Sequence, residues 1–182
     1  MIQVFCDGSI TGGAWGKKDA KASLPHAWSG WWAKDEHGKV LQWRSLDLGE
    51  AEYMSANVAE YFAVRSALTW LYGSIWKHHQ IEVLSDSQVV IYQLTGKQNC
   101  YHPKLMVLRD TCRRVAGHMN VRFVWTRREN NREADVLSKA LQIWGRQAQN
   151  WEEVLAYLRK KPSGRVKKSG PRSAVPEPKS GG

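Results

Sequence analysis

Four carboxylates stand in four separate segments of the chain. Asp7 follows the first strand run in VFCDGS, Glu60 lies inside SANVAEYFAVRSAL, Asp86 follows the run IEVLS, and Asp135 opens the apolar part of NREADVLSKAL. Carboxylate oxygens are the ligands that hard cations such as magnesium prefer, so four of them gathered from distant segments would make a metal site. Each also has a local explanation. Asp7 before Gly8 is a good turn residue. Asp86 can cap the helix that follows it. Asp135 favours the positive end of its own helix, and Glu60 would fit the outer face of an amphipathic helix. Taken singly, the local explanations suffice, and residue types alone leave both readings open. Asp135 poses the question most sharply. The residues around it include Arg127, Arg128, Arg132 and Lys139, which would attract phosphate, whereas a lone carboxylate among them would repel it.

The elements that must position these groups follow from hydropathy patterning. Residues 2–6 form a short apolar run of central-strand type, and residues 27–34 and 39–47 are strand candidates. Between the latter two, DEHG makes a hairpin turn in which Gly38 supplies the permissive backbone. Ser55 can cap a helix running to about Gly73, with Ala59, Phe62, Ala63, Ala67 and Trp70 on one stripe at helical spacing. Residues 81–85 read as a buried strand and 87–94 as a short helix. Pro103 can open a further helix to about Gly117, with Leu105, Leu108, Cys112 and Val115 facing inward. Residues 120–125 alternate as a strand, and residues 132–141 and 151–158 are helical. Residues 8–27, rich in Gly, Ala and Lys, are expected to form a long loop. This order makes an α/β chain with one mixed sheet and helices packed on its faces. Asp7 and Asp86 then fall at strand ends and Asp135 at a helix start. Those positions meet at the edge of an open sheet, where α/β proteins place their sites.

The formal net charge is +10, and residues 161–182 carry half of it, with six basic side chains and one acid. Residues 1–160 are therefore basic as well, and a polyanionic partner is favoured. From Lys161 onward Pro, Gly, Ser and Lys dominate. We read residues 161–182 as a disordered basic tail and residues 1–160 as one domain that includes a C-terminal helix. Cys6, Cys100 and Cys112 make an odd count with no framework spacing, so reduced thiols and a cytoplasmic location are expected. Cys100, His102, Cys112 and His118 lack the short paired steps of a zinc site. The chain opens directly on strand-like residues, without a charged leader and apolar run, and no apolar stretch approaches a membrane span. A monomer without membrane contact is the expectation.

Asp7-Gly8-Ser9, then Asn57-Val58-Ala59-Glu60 leading into AVRSAL, then Asp86-Ser87-Gln88, then RENNREAD from Arg128 to Asp135 occur in this order and on the expected elements. Together they resemble ribonuclease H of type 1 over roughly residues 1–142, and the last resembles the R-E-x-N-x-x-A-D ending of one branch. The resemblance implies a ribonuclease H-like α/β fold with a five-stranded mixed sheet flanked by helices. It also implies an endoribonuclease that hydrolyses the RNA strand of RNA/DNA hybrids. By the same resemblance Asp7, Glu60, Asp86 and Asp135 are catalytic and hold two magnesium ions, which manganese can replace, with Asp7 bridging. One ion would activate the attacking water and the other would steady the leaving 3′ oxygen. Asn57, Glu60, Gln88 and the backbone near Gly8 and Ser9 would sense the 2′-hydroxyls exposed in a wide, shallow minor groove. Ser55 would meet a phosphate of the DNA strand. Arg128 and Asn131 would steady the phosphate or the acidic cluster.

The chain departs from the commonest pattern of that family. Many members carry a histidine between the last strand and the last acidic residue, and residues 125–135 contain none. Members with the same ending lack it too. At the positions that often hold a DNA-strand phosphate, this chain has Gly13, Ser55 and Val58, so only the hydroxyl survives. Duplex RNA is therefore a second candidate substrate. The alternatives are a non-catalytic module that binds hybrid or RNA, and a related nuclease acting on double-stranded RNA.

Overall fold

In the computed structural model, which describes residues 1–12 and 24–160, five strands form one sheet. They are β1 (Ile2–Thr11), β2 (His26–Lys34), β3 (Val40–Glu50), β4 (Gln80–Ser85) and β5 (Asn120–Trp125), in the order β3-β2-β1-β4-β5. β2 pairs antiparallel with β1 and β3, whereas β1–β4 and β4–β5 are parallel. The antiparallel pair β2–β3 is joined by the expected turn, where Gly38 takes φ 80° and Asp35 Oδ1 accepts from the backbone N–H groups of His37 and Lys39. The parallel pairs need crossovers, which helices supply. These are α1 (Ala56–Tyr72) between β3 and β4, then α2 (Gln88–Thr95) and α3 (Pro103–Ala116) between β4 and β5. The chain continues as α4 (Arg132–Trp144) and α5 (Trp151–Lys160). No helix among the described residues is long and apolar enough to cross a membrane.

Strand alternation divides the core in two. Ile2, Val4 and Cys6 of β1 point into the larger cluster, with Trp31 of β2 and Ala59, Ala63, Val64 and Leu68 of α1. Phe5 points the other way, with Trp32, Leu84, Leu137 of α4 and Val154 of α5. On this second face Phe5 stacks on Trp32, with ring centroids 4.8 Å apart, and Trp151 meets Trp32 at a tilt, with centroids 4.7 Å apart.

Two glycines set how closely helices approach the sheet. An added Cβ on Gly8 would lie 2.3 Å from the backbone nitrogen of Glu60, and one on Gly30 would lie 2.2 Å from that of Ser138. α1 thus presses on β1 from one side and α4 on β2 from the other, each at a point where no side chain intervenes.

The structure corrects the extent of several elements. Residues 8–27 are not a loop throughout. β1 continues to Thr11 and β2 begins at His26, because their ladder extends through Ser9–Trp28, Ile10–Ala27 and Thr11–His26. Loop-like composition is overridden here by pairing with an apolar partner strand. Residues 13–23 of that segment, with Gly13, lie outside the described residues, as does the tail at 161–182. The inner face of α1 is also broader than the expected stripe. Val58, Tyr61, Leu68 and Leu71 are buried, whereas Phe62 and Trp70 pack at its margin.

Candidate metal centre

On its β4 side, the β1 ladder ends at the pair Cys6–Ser85. The next residues, Asp7 and Asp86, leave that ladder side by side. Asp7 remains paired to Gly30 on the β2 side and is therefore held rigidly. Glu60 arrives from α1, one turn past the cap that Ser55 makes by accepting from the Val58 N–H at 3.3 Å. It does not lie on the outer face of its helix. The approach of α1 to Gly8 leaves it only 8% exposed. The three elements bring one carboxylate oxygen each of Asp7, Glu60 and Asp86 within 4.8 Å of one another.

A hydrogen-bonded frame fixes these oxygens. Ser138 of α4 donates to Asp7 Oδ2 at 2.6 Å. Ser85 donates to Glu60 Oε2 at 3.1 Å, and the Gly8 backbone N–H also bonds Glu60. The amide of Asn131 donates to Asp86 Oδ1 at 3.1 Å and to the Cys6 carbonyl at 2.9 Å. Trp125 Nε1 donates to the Asp86 carbonyl at 3.1 Å. Asp86 does not cap α2; Ser87 does, accepting from the Val90 N–H.

Burial, and then the charges of Asp86 and Asp135, raise Asp7 to about 7, although the Ser138 hydrogen bond pulls the other way. Glu60 is pushed well above the usual carboxylate range by burial and then by Asp7 and Asp86. Oxygens so placed are short of positive charge. A divalent cation would supply it, and the donor set of hard, clustered carboxylate oxygens fits magnesium or manganese.

Asp135 differs. It lies in the first turn of α4 and is not one of the three clustered carboxylates. Its Oδ1 accepts from Arg128 at 2.9 Å and from Lys139 at 2.5 Å. Burial would raise it, but Lys139 and then Arg128 outweigh that and hold it below its usual range. Its charge nonetheless acts on Asp7.

The other sequence-selected residues divide by exposure. Gln88 is exposed, its amide on the Tyr92 hydroxyl at 2.9 Å, and Asn57 is half-buried. The Ser9 hydroxyl is turned inward onto the Ser138 carbonyl at 2.6 Å. Asn131, selected as a contact for water or phosphate, is 0% exposed and faces Asp86 instead. Arg128 is open to solvent and borders a concavity of about 550 Å³ with Trp125, Arg127, Glu129 and Asn130. Sequence reasoning missed Ser138 and Lys139. Their signal was the spacing of three and four residues after Asp135, which places all three on one helix face.

The profile of the reverse transcriptase-like family matches residues 17–141. The chain belongs to that family. Among curated protein sequences no match is found. Solved structures resolve the type. The crystal structure of RNase H1 from the halophilic archaeon Halobacterium salinarum NRC-1 aligns with a TM-score of 0.64 at 25% identity, covering 78% of this chain and 98% of that one. LC11-RNase H1, solved in complex with RNA/DNA hybrid, gives 0.63 at 26% identity, covering 77% and 95%. The N-terminal RNase H domain of rv2228c from Mycobacterium tuberculosis shares the fold, with a TM-score of 0.63 at 23% identity over 76% of this chain and 91% of that one. The chain is thus a ribonuclease H-type enzyme of the type 1 group, with the five-stranded sheet and flanking helices of that fold.

Proposed function

We propose that the chain hydrolyses the RNA strand of RNA/DNA hybrids in a magnesium-dependent reaction at Asp7, Glu60, Asp86 and Asp135. The observation that carries this reading is the buried group of Asp7, Glu60 and Asp86 at the sheet edge of a ribonuclease H fold. The hybrid-bound relative LC11-RNase H1 supports the substrate class. Magnesium or manganese ions, when bound, would supply Lewis-acid charge to the attacking water and the leaving 3′ oxygen. The chain's own residues then have separable tasks. Ser138, Ser85 and Asn131 orient the carboxylates. Gln88, Asn57 and the Gly8–Ser9 backbone face the RNA strand, and Arg128 meets phosphate beside the concavity. A reducing cytoplasm and a monomeric enzyme complete this reading; the three cysteines are all buried and free, which suits the former.

The deciding experiment is a cleavage panel of hybrid, duplex RNA, duplex DNA and single strands, with and without a chelator. Metal-dependent cuts in the RNA strand of the hybrid are expected. Binding of hybrid without cleavage at any metal concentration would instead make the chain a binding module. Slower but measurable cleavage of duplex RNA is also expected. Val58, at one position where relatives hold the DNA strand, is buried in the core and offers that strand no polar group. No cleavage of duplex RNA under conditions that consume hybrid would place strand discrimination elsewhere.

Asn131→Ala is expected to lower turnover about 10–100-fold, the cost of a charge-assisted hydrogen bond of ordinary strength. Because Asn131 acts through Asp86, kcat should fall with KM little changed. A rise in KM at constant kcat would mean direct contact with substrate.

A further inference from the structure

α4 is weakly held by its own side chains. The close approach at Gly30 leaves room for small residues on its inner face, and three of its five buried residues are Ala134, Ser138 and Ala140. A helix of 13 residues is marginal in water by itself. Yet this helix carries Ser138, which donates to Asp7, and Asp135 stands in its first turn. What presses on it from the other side is α5, which begins ten residues past the end of the family match at residue 141.

Gly145, with φ 66°, ends α4 and turns the chain toward β3, where Trp43 Nε1 donates to the Ala148 carbonyl at 3.3 Å. Asn150 then accepts from the Glu153 N–H and starts α5, whose acidic first turn and basic last turn both suit the helix dipole. Trp151 meets the rings of Trp32 and Trp43, with centroids 4.7 and 5.8 Å away. Val154 is fully buried in the same cluster as Leu137, the neighbour of Ser138. α5 runs back along α4. Glu153 pairs with Arg146, just past the end of α4, and the Leu158 carbonyl accepts from Arg132, at its start, at 3.5 Å. Tyr157 meets Trp144 edge-on at 5.6 Å. α5 is thus fastened to β2 and β3 through Trp151 and to α4 near both of its ends.

We propose that α5 is a strap that fixes α4 against the sheet, and that Trp151 is its anchor and a positioning residue for the reaction. The inference rests on the catalytic reading above. An indole buried against two others contributes a large apolar area with defined ring geometry, so Trp151 holds the strap more firmly than any other side chain of α5. Without it α4 can lift from Gly30, and the Ser138 hydroxyl then leaves Asp7 while Asp135 moves away with the helix. Asp7, Glu60 and Asp86 stand on β1, on α1 and after β4, and they stay where they are. The strap therefore governs the part of the site that α4 brings. It leaves Asn57 of α1 and Gln88 of α2, which face the RNA strand in that reading, undisturbed.

The test compares the full chain with Trp151→Ala, Trp151→Phe and Trp76→Ala, at a temperature where melts show each to be folded. Trp76 packs against the larger core, not the cluster that α4 and α5 share, and serves as the control for lost stability alone. Without metal or nucleic acid, hydrogen exchange of the α4 amides should quicken about tenfold or more in Trp151→Ala, with α1 and β4 little changed. On hybrid with magnesium, its kcat should fall about tenfold with KM little changed, less than the ~100-fold of a fixed ~1 Å misplacement, because a loosened helix still visits the working geometry. Trp151→Phe, which keeps an aromatic ring, should restore most of both. Trp76→Ala should lower the melting temperature and leave kcat alone. Should Trp151→Ala fail to fold, Trp151→Leu takes its place. Exchange that quickens alike in all elements, or wild-type kcat in a folded Trp151→Ala, would overturn the proposal. A wild type that leaves hybrid intact would remove the catalytic reading above, and the exchange pattern would still decide whether α5 holds α4.

Discussion

Asp86→Asn is expected to keep its fold and lose cleavage by about a thousandfold or more, the scale of removing a principal electrostatic element from an active site. The Asp86 side chain is partly exposed and contributes to no core cluster, so the substitution should cost little stability. What changes is chemistry: an amide is a poor ligand for a hard cation. Asp7→Asn should be equally inactive but should differ in stability. Asp7 titrates near 7 in the fold against 3.8 as its ordinary value. A carboxyl whose folded value is raised favours the fold at low pH, and this contribution is lost as pH rises from about 4 through about 7. With a chelator present, Asp7→Asn should therefore melt above the wild type near pH 8, and the gap should close toward pH 4. Magnesium should raise the wild-type melting temperature and move the variant less, because a ligand that binds only the folded state stabilises it. Wild-type turnover by either variant would remove these carboxylates from the reaction. A wild-type melting temperature indifferent to both metal and pH would show that the buried charge is balanced by other means.

Much of the candidate site was legible because its carboxylates follow apolar runs and a helix cap that sequence marks well, although Asp7 lies inside β1 rather than at its end. Asp7 and Asp86 each follow an apolar strand run, and Glu60 follows the Ser55 cap by a fixed number of residues. Position along an element carries over into space when the element is regular. What sequence could not supply was which way shared hydrogen bonds run. Asn131 sits among arginines in the chain and looked like a phosphate contact. In the fold it is fully buried, because the turn before α4 folds back over the middle of β1 and brings its amide to the Cys6 carbonyl and Asp86. Ser138 and Lys139 read as ordinary helix residues until α4 is docked. The docking is set by Gly30, 108 positions away from Ser138 along the chain, and no local pattern announces a contact of that separation. The long-loop reading of residues 8–27 failed for a related reason. Strand pairing between Ser9 and Trp28 depends on the partner, whereas composition speaks only for the segment itself.

Gly30→Ala should be the most damaging substitution that touches no candidate ligand. The new methyl group would lie 2.2 Å from the Ser138 nitrogen and 2.4 Å from the Leu137 carbonyl carbon, both backbone atoms of a helix that cannot rotate aside. α4 must lift from β2 by on the order of 1 Å, the shift that restores van der Waals contact. Overpacking of this kind costs roughly 1–3 kcal/mol, and the melting temperature should fall accordingly. The larger effect is on the site. α4 carries Ser138, which holds Asp7, together with Asp135 and Lys139, and the Ser9 hydroxyl is tied to the same helix turn. A displacement of about 1 Å in groups that orient a reaction costs on the order of a hundredfold in rate. Cleavage should therefore fall about a hundredfold at temperatures where the variant remains fully folded, and the affinity for manganese should weaken with it. Gly38→Ala is the matched control. Its φ of +80° strains any side chain, yet nothing lies within 4 Å of the new atom and the hairpin is remote from the carboxylates. It should lose stability through backbone strain of about 1 kcal/mol and keep its turnover. If Gly30→Ala cleaves normally while folded, the α4 docking point does not set the geometry of Asp7, and the frame around the carboxylates must be held by α1 and β4 alone.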